Sequence, residues 1–415
     1  LQRAKHITLM YNSSSDGLNQ GEMSRFLMQL QIESKRMLAP CVEILLKTLV
    51  ADNDILADQT DGWQSSPTAL EGLHHRFNLT YEAEYTAQHG GAKMTMSPSA
   101  INDYLDCRRR FFLKYVVGMK SEDELSDDVD DAMFGTLLHY CMERIYRPCV
   151  GRQVQSRYLL DTARDDQKLS ALVDEAFAVN VFKVNHMGTK SAPRNECMPS
   201  EPIAHTLYNG HQLLNKHVLV TYIKMQLQYD ARSCPFKLLG VESPAYAILQ
   251  IKTDQGVIPV RFGGIIDRYE QVSDPVLSCS PVSSQQSEHI RIVDYKTSSR
   301  EQAANDLASL FDPGKKNRSH HILQALYYCD VLTRQGTSLP VFPELMYVKL
   351  PLSKRSGAVR LGKEPVTDFQ THQALEYHAH LEAVIQEIFN PHTVFSMTTL
   401  QDQCNYCDFK SICGR

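Results

Sequence analysis

Two sets of side chains in this 415-residue chain have the types and the spacing that bind metal ions. The first set holds Asp267, in F-G-G-I-I-D-R-Y-E, and Asp294 with Lys296, in I-V-D-Y-K-T-S-S. Carboxylate oxygens suit hard cations such as Mg²⁺, and a bound divalent ion can polarise a phosphate and activate a water molecule. A lysine two residues after Asp294 emerges on the same face of a strand, where it can orient or deprotonate that water. These residues predict metal-dependent cleavage of a phosphodiester bond.

The second set consists of cysteines. Cys404, Cys407 and Cys413 form a C-x2-C-x5-C run close to the end of the sequence, and Cys107 lies far upstream. Two thiolates separated by two residues suit zinc and iron–sulfur clusters alike, and four cysteines fit either. The structural alternative, in which the cysteines are small buried side chains, explains poorly why three of them lie so close together in a tail. The other cysteines show no such spacing and are expected to be ordinary thiols.

The strands that would carry the carboxylates follow from period-two patterns that begin at Leu238. L-L-G-V-E, A-Y-A-I-L-Q-I-K, G-V-I-P-V-R-F-G-G-I-I-D-R-Y-E and I-R-I-V-D-Y-K-T predict four strands in succession, with D-Q-G as a tight turn. Asp267 and Asp294 would each end one of two neighbouring antiparallel strands and so converge on one ion. The stretch S-C-S-P-V-S-S-Q-Q-S-E (278–288) predicts a low-complexity insertion between these two strands.

Helices are expected before and after these strands. Ser97 or Ser99 is a typical N-cap residue, and Pro98 suits the first helical turn that follows. Further helices are expected over about 133–146, 155–230, 320–335 and 366–389, with one strand, E-L-M-Y-V-K-L, between the last two.

Residues 1–90 predict a separate and mostly helical piece. The expected elements are a strand over 7–12, helices over 22–32 and 42–51, a turn-rich stretch over 58–70 and a linker around 87–96. The chain does not begin with Met, so we expect it to be part of a longer protein.

The composition argues against several classes of protein. No run of about 18 apolar residues is present, so no membrane span is expected, and the N-terminus lacks the features of a signal peptide. Eleven mostly isolated cysteines do not indicate a disulfide framework, which favours a reducing cytoplasm. The net charge of −5 argues against a broad basic coat. Basic clusters at 108–114 and 315–318 are nevertheless sufficient for a local DNA track.

The order of these elements resembles that of the PD-(D/E)XK nucleases, and I-I-D-R and D-Y-K-T are near-verbatim forms of their RecB-type branch. The resemblance implies an α/β fold with a restriction-endonuclease-like central mixed sheet flanked by helices. It assigns residues 91–415 to the nuclease domain, with 150–235 as a large helical insertion and 400–415 as a cysteine tail.

The same resemblance implies roles for residues outside the strands. G-T-L-L-H places His139 where this branch has a metal-binding histidine, and Q-A-L-Y-Y supplies Gln324 and Tyr328 as its Q-x-x-x-Y motif, which would contact the DNA backbone. Taken alone, His139 on its apolar helix face would be a core histidine. Gln324 and Tyr328 alone would be a solvated helix edge. Glu242 lies where the family often carries Glu, and a structural role and a site role stay equally open for it.

The metal ligands implied in this way are His139, Asp267, Asp294 and the main-chain carbonyl of Tyr295, and the ion is Mg²⁺ or Mn²⁺. The implied reaction is divalent-metal-dependent cleavage of single-stranded DNA. The alternative is a non-catalytic DNA-binding scaffold with an iron–sulfur or zinc clip. The intact set of Asp267, Asp294 and Lys296 argues against that alternative.

One cysteine ahead of the nuclease motifs, in the Y-x-x-C segment that ends at Cys107, and three beyond them resemble the iron–sulfur nuclease domain of AddB-type helicase–nucleases. This resemblance implies a [4Fe–4S] cluster at Cys107, Cys404, Cys407 and Cys413, with Zn²⁺ as the alternative. Residues 1–35 resemble the end of the helicase-like half of those proteins, so 1–90 would be the end of a helicase-like domain plus a linker. A helicase–nuclease partner subunit and a role in double-strand-break repair are implied.

Overall fold

The computed structural model describes residues 15–16, 19–20, 24–29, 63–64, 67–83, 95–119, 129–182, 208–254, 256–274 and 287–415. The chain forms two compact units, Leu1–Ile55 and Leu56–Arg415. In the first unit the strands Ser15–Asp16 and Asn19–Gln20 pair antiparallel, and residues 25–29 are helical. The strand expected over 7–12 and the helix expected over 42–51 lie outside the described residues.

A five-stranded mixed sheet forms the centre of the second unit. Its strands are β1 (Gln153–Val154), β2 (Phe236–Thr253), β3 (Gly256–Asp274), β4 (Ser287–Lys296) and β5 (Val341–Tyr347). They lie in the order β1-β2-β3-β4-β5, antiparallel as far as β4, with β5 parallel to β4. A parallel neighbour requires a crossover, and the chain between β4 and β5 supplies it through helices.

The described helices of this unit flank the sheet. They are α1 (Pro67–Phe77), α2 (Pro98–Asp106), α3 (Arg108–Phe111), α4 (Asp131–Tyr146), α5 (Ser156–Arg164), α6 (Asp166–Asn180), α7 (Gly210–Asp230), α8 (Ala308–Phe311), α9 (His320–Arg334), α10 (Phe369–His372) and α11 (Ala374–Ile388). A π-helical turn, Phe112–Val117, continues α3, and short 3₁₀ turns lie at Leu79–Tyr81, Arg147–Cys149, Ala231–Ser233 and Gln401–Cys404. Two-residue strands pair Trp63–Gln64 with Val394–Phe395, and Arg360–Leu361 with Glu364–Pro365.

Two hydrophobic cores hold the helices to opposite faces of the sheet. On one face α9 packs against the sheet, with Leu323 and the strand residue Phe262 both fully buried. On the other face α4 to α7 form a helical layer in which Leu137 packs near Val293 of β4. Burying a large aliphatic or aromatic side chain contributes about 1.5–3 kcal/mol, so both layers are firmly attached. Side chains from α4 and α9 therefore approach the same strands from two sides.

The predicted fold class, a central mixed sheet flanked by helices, is confirmed. The predicted helix start at residues 97–99 is also present, because Ser97 Oγ accepts a hydrogen bond from the N–H of Ala100 at 3.1 Å and Pro98 begins α2. The expected helices over 133–146 and 320–335 correspond to α4 and α9. Much of the predicted 278–288 insertion and of the 87–96 linker lies outside the described residues.

The prediction of four successive strands is wrong, because L-L-G-V-E and A-Y-A-I-L-Q-I-K belong to one strand, β2. The register against β3 shifts between Leu238 and Gly240, and Glu242 adopts a left-handed backbone conformation with φ 42°. A bulge inserts an extra residue and changes the face to which the following side chains point. The period-two pattern is therefore interrupted although the strand continues.

The basic clusters that we expected to form a DNA track are largely taken up by internal ion pairs. Arg110 and Lys114 pair with Asp103, and Arg318 is buried with its guanidinium 2.6 Å from Asp106. Burial would raise the pKa of Asp106, but His320 and Arg318 lower it well below its usual range. Arg318 therefore ties the start of α9 to α2, whereas Arg110 and Lys114 tie α3 and the π-helical turn to α2.

None of the helices in the described part of the chain has the length and apolar character required to span a bilayer.

Candidate metal centre and cysteine site

Asp267 and Asp294 lie beside each other on β3 and β4. The antiparallel ladder between these strands ends at the pair Arg268 and Val293, and the two aspartates occupy the next position on each strand. Both carboxylates are buried, with exposed fractions of 7% and 2%. The expectation that each aspartate ends its strand is wrong, because both lie within β3 and β4. They converge because the ladder opens at this point.

His139 reaches the same point from α4. The helix is capped by Asp130, whose carboxylate accepts a hydrogen bond from the N–H of Met133, and its buried apolar side chains fix it on the sheet. Nδ1 of His139 lies 3.1 Å from Oε1 of Glu242 and 3.4 Å from Oδ2 of Asp267. The structure therefore places His139 beside two carboxylates and not inside apolar packing.

Glu242, for which the sequence left two roles open, lies in this cluster. Possible ligand atoms of His139, Glu242 and Asp267 all lie within 4.8 Å of one another. A non-glycine residue with positive φ costs of the order of 1–3 kcal/mol and persists only where its surroundings hold it. At Glu242 this conformation, next to the β2 bulge, accompanies a carboxylate that faces the cluster. In the sequence, the interruption of the period-two pattern at G-V-E was the signal that Glu242 is not an ordinary strand residue.

Tyr295 joins the cluster through its main chain. Its N–H donates to Oδ2 of Asp267 at 2.9 Å, and its carbonyl lies 3.3 Å from Nε2 of His139. Its hydroxyl accepts a hydrogen bond from Arg268 at 2.7 Å, and Arg268 is fully buried in an ion pair with Asp230 of α7. Sequence reasoning missed this support, because the Asp230 partner lies far away along the chain.

Lys296 and Gln324 complete the other side of the site. Nζ of Lys296 lies 2.7 Å from Oδ2 of Asp294 and donates to Oε1 of Gln324 at 3.0 Å. The amide nitrogen of Gln324 donates to Oδ1 of Asp294 at 3.3 Å. Tyr328, one turn further along α9, is buried with its hydroxyl against Gly264, where a Cβ atom would lie 3.0 Å from that oxygen. Gln324 of the predicted Q-x-x-x-Y pair thus contacts the aspartate and the lysine, and Tyr328 packs against β3 one helical turn further on.

Charges in the cluster are strongly coupled. Burial opposes a charged imidazole, yet Asp267 and Glu242 raise the pKa of His139 to about 11. Burial would raise the pKa of Asp267, but His139, Lys296 and the N–H of Tyr295 bring it below its usual range. The pKa of Asp294 is raised by burial and by the charge of Asp267. Without a metal ion, the site therefore contains a protonated histidine that offsets part of the carboxylate charge.

The donor set fits a hard divalent cation. Carboxylate oxygens, one imidazole nitrogen and a main-chain carbonyl are ligands that Mg²⁺ and Mn²⁺ accept. Oδ2 of Asp294 is buried and makes no hydrogen bond of good geometry, although the Lys296 ammonium lies beside it. An ion-paired carboxylate oxygen can still coordinate a cation, because it has a second lone pair. The structure brings all seven predicted residues into one region: His139, Asp267, Asp294, Tyr295, Lys296, Gln324 and Tyr328. Glu242 joins them.

The sequence model of the PD-(D/E)XK nuclease superfamily matches residues 95–414, which is most of the chain. The chain belongs to the PD-(D/E)XK nuclease superfamily. A search among curated proteins found no match. Membership agrees with the mixed sheet and its flanking helices, and it implies a hydrolase that uses Mg²⁺ or Mn²⁺ at the buried acidic group.

Metal binding by this PD-(D/E)XK domain is expected to release a proton. A histidine with a pKa near 11 is protonated at neutral pH, and a ligating imidazole must be neutral. Affinity for Mn²⁺ should therefore rise with pH, by up to about tenfold per unit between roughly pH 6 and pH 8. Calorimetry in two buffers of different ionisation enthalpy would measure about one proton released per ion.

His139→Gln is the matched variant for this measurement, since an amide carries no titrating proton. It should bind Mn²⁺ more weakly and release no proton. Equal proton release by the variant and the wild type would show that His139 is not a ligand.

The four predicted cysteines line one pocket. Cys107 lies between α2 and α3, and Cys404, Cys407 and Cys413 lie on successive tight turns of the tail, with Lys410 on the turn between the last two. The structure contains no disulfide at any of the four. Burial raises the pKa of the Cys407 and Cys413 thiols, and the charges of Cys107 and Cys404 raise it further. Such an effect on Cys407 and Cys413 is what closely spaced thiols produce.

Contacts that do not involve the cysteines also hold the two sides of this pocket together. Phe395, before the tail, stacks on Phe111 of α3, and the N–H of Arg109 donates to the carbonyl of Ser396 at 3.0 Å. The four thiols are thus presented by a packed scaffold, and this donor set fits either a tetrahedral zinc ion or a [4Fe–4S] cluster.

Proposed function

We propose that this domain is a divalent-metal-dependent deoxyribonuclease that hydrolyses phosphodiester bonds of single-stranded DNA. The observation that carries the proposal is the convergence of His139, Glu242, Asp267, Asp294 and Lys296 from four elements on one partly buried point. The carboxylates of Glu242, Asp267 and Asp294 lie around one protonated imidazole and one ammonium, which leaves an excess of negative charge that a divalent cation would neutralise.

His139, Asp267, Asp294 and the carbonyl of Tyr295 would hold Mg²⁺ or Mn²⁺, and we add Glu242 to this set. The bound ion supplies Lewis-acid polarisation of the phosphate and a more acidic water. Asp267 is oriented for this task by the N–H of Tyr295. The carboxylates of Glu242 and Asp267 both lie beside Nδ1 of His139 and so fix the orientation of the imidazole ring.

Lys296 would act as a positive charge beside the phosphate. Burial lowers its pKa, but Asp294 and Asp267 raise it above its ordinary value, so the ammonium stays charged. Such a group suits the stabilisation of developing negative charge better than the removal of a proton from water. Gln324 accepts a hydrogen bond from this ammonium and so orients it. Gln324 and Tyr328 would also contact the DNA backbone.

We propose a [4Fe–4S] cluster at Cys107, Cys404, Cys407 and Cys413, with Zn²⁺ as the alternative. The pocket shared by the four thiols supports a common ligand. Together with the placement of one cysteine before the nuclease motifs and three after them, this pocket favours the RecB-type, AddB-type architecture, in which the cluster ties the two ends of the domain together.

In this proposal residues 1–90 are the end of a helicase-like domain plus a linker, and 91–415 are the nuclease domain. The domain would work in the cytoplasm with a helicase–nuclease partner subunit. That subunit would feed it single strands during double-strand-break repair. The support is the resemblance of residues 1–35 and of the cysteine pattern to AddB-type proteins.

Digestion of end-labelled single-stranded and duplex DNA of one sequence would test the proposed activity. We expect cleavage of the single strand with Mg²⁺ or Mn²⁺ and none with chelator or Ca²⁺. Faster cleavage of blunt duplex would contradict the preference for single strands. Complete inactivity with both metals, in folded protein that binds DNA, would favour the scaffold alternative.

A further inference from the structure

His321 lies on the face of α9 that is directed towards the metal centre. Residues 321, 324 and 328 are three and four positions apart, which places them in one stripe along a helix. Gln324 and Tyr328 are already in contact with the site, and the sequence analysis gave His321 no role. The charge of Lys296 acts on His321, as expected for neighbouring side chains.

Tyr347 fixes the ring of His321 from the side of the sheet. In the parallel ladder, Tyr347 of β5 pairs with Lys296 of β4, so it stands next to the proposed active lysine. Its hydroxyl lies 3.1 Å from Nδ1 of His321 and accepts a hydrogen bond from the N–H of Gln302 at 3.0 Å. The hydroxyl proton is therefore free to be donated to Nδ1.

This hydrogen-bond network determines which nitrogen carries the proton. If Nδ1 accepts the Tyr347 proton, the neutral ring carries its own proton on Nε2. Burial, and then Lys296 and His320, lower the pKa of His321 to about 3, so the ring is neutral at any working pH. Among the described residues Nε2 of His321 has no hydrogen-bond partner. It is also not one of the fully buried polar atoms that lack a partner, so it is accessible to solvent. The N–H of Nε2 is thus an oriented donor open to solvent.

A purely structural role for His321 does not explain why one ring nitrogen is fixed while the other is open. A histidine that only fills space between α9 and β5 would not need its Nδ1 fixed and its Nε2 open. Neutral, pre-oriented donors are what sites use to bind phosphate oxygens, because they need no reorganisation when the ligand arrives. The open donor lies on the stripe that carries Gln324.

We propose that His321 is a further catalytic residue, whose Nε2–H donates a hydrogen bond to a phosphate oxygen of the DNA strand beside Lys296. This inference rests on the proposed nuclease function and extends it, since it adds a neutral donor to the DNA-backbone contacts proposed for Gln324 and Tyr328 of α9. Tyr347 is then a positioning residue that acts through His321.

Two measurements test the proposal: steady-state cleavage of a labelled oligothymidylate with Mg²⁺, and binding of the same oligonucleotide with Ca²⁺ by fluorescence anisotropy. His321→Ala should lower kcat/KM about 10–100-fold and weaken binding by a smaller factor. His321→Gln should regain much of the loss, because its amide N–H can reach the position of Nε2. The shape of the pH–rate profile should not change, because His321 does not titrate in the working range.

Tyr347→Phe should cause a smaller loss, and His321→Ala with Tyr347→Phe should be no worse than His321→Ala alone. His372→Ala, an exposed histidine on α10, is the matched control and should behave as wild type. The double variant tests whether Tyr347 acts through the imidazole.

The outcomes separate this inference from the proposed function. If wild type cleaves and folded His321→Ala cleaves and binds equally well, the inference is overturned. It is also overturned if His321→Gln is folded but as impaired as His321→Ala. If wild type binds the oligonucleotide without cleaving it and His321→Ala weakens binding, the DNA contact stands and the nuclease proposal fails.

Discussion

Replacement of Lys296 by alanine is expected to reduce cleavage of single-stranded DNA by about 10²–10⁴-fold at saturating Mg²⁺, while metal binding is retained. Lys296 is not in the ligand set, but its ammonium lies 2.7 Å from Asp294 and is kept charged by Asp294 and Asp267. The variant would lose the positive charge next to the phosphate and keep every proposed ligand. Single-turnover cleavage rates and Mn²⁺ affinity would measure the two properties separately.

The matched controls are Lys363→Ala, at an exposed lysine, and Asp294→Asn. The first should leave the rate unchanged, and the second should lose both metal affinity and cleavage. Loss of Lys296 also leaves a buried carboxylate without its cation, so metal-free Lys296→Ala should unfold at lower temperature and be rescued by Mn²⁺. A wild-type rate for folded Lys296→Ala would refute the assignment of this site.

Cys404→Ala is expected to lower thermal stability strongly before it affects cleavage. A bound cluster or zinc ion would join Cys107 to the tail across nearly the whole domain, and a crosslink of this kind contributes about 3–5 kcal/mol by restricting the unfolded chain. The cysteine pocket shares no residue with the metal centre. Thermal unfolding and cleavage at low temperature, each compared with wild type, would measure the two effects.

Cys149→Ala is the control, since this half-buried thiol lies outside the cysteine pocket. Wild-type protein purified without oxygen should be brown and carry about four iron atoms per chain for a [4Fe–4S] cluster. Colourless protein with about one zinc ion would establish the zinc alternative. Unchanged stability with a collapsed cleavage rate in Cys404→Ala would mean that the role of the cysteine was misassigned.

Much of the candidate site could be predicted from local sequence. Asp294 and Lys296 lie on one strand two residues apart, and Gln324 and Tyr328 lie one helical turn apart, so their relative positions follow from strand and helix geometry alone. The mixed sheet as a whole was implied by the family resemblance, and β1 was not predicted. The segments of β2, β3 and β4 were predicted from their own period-two patterns. These properties depend only on residues that are close in the chain.

Other features were missed because they depend on which distant segments meet. β2 was predicted as two strands, since its bulge interrupts the pattern while pairing with β3 continues it. The cationic cluster around Arg110 looked like a DNA track, yet Asp103 and Asp106 neutralise it within the fold. Glu242 was left open because only the packing of α4 on β2 brings it to His139.

The sequence by itself therefore determined the residues that could bind metal and their local geometry, because residue type and period are short-range properties. Only the tertiary structure decided which donors share one point, which charges are neutralised and which imidazole nitrogen stays open. The α4 and α9 helices approach the sheet from opposite faces, and burial between them brings the carboxylates, His139 and Lys296 close enough to alter one another's pKa. Coupling of this kind depends on distance in space and on exclusion of water, and neither is encoded in the spacing of residues along the chain.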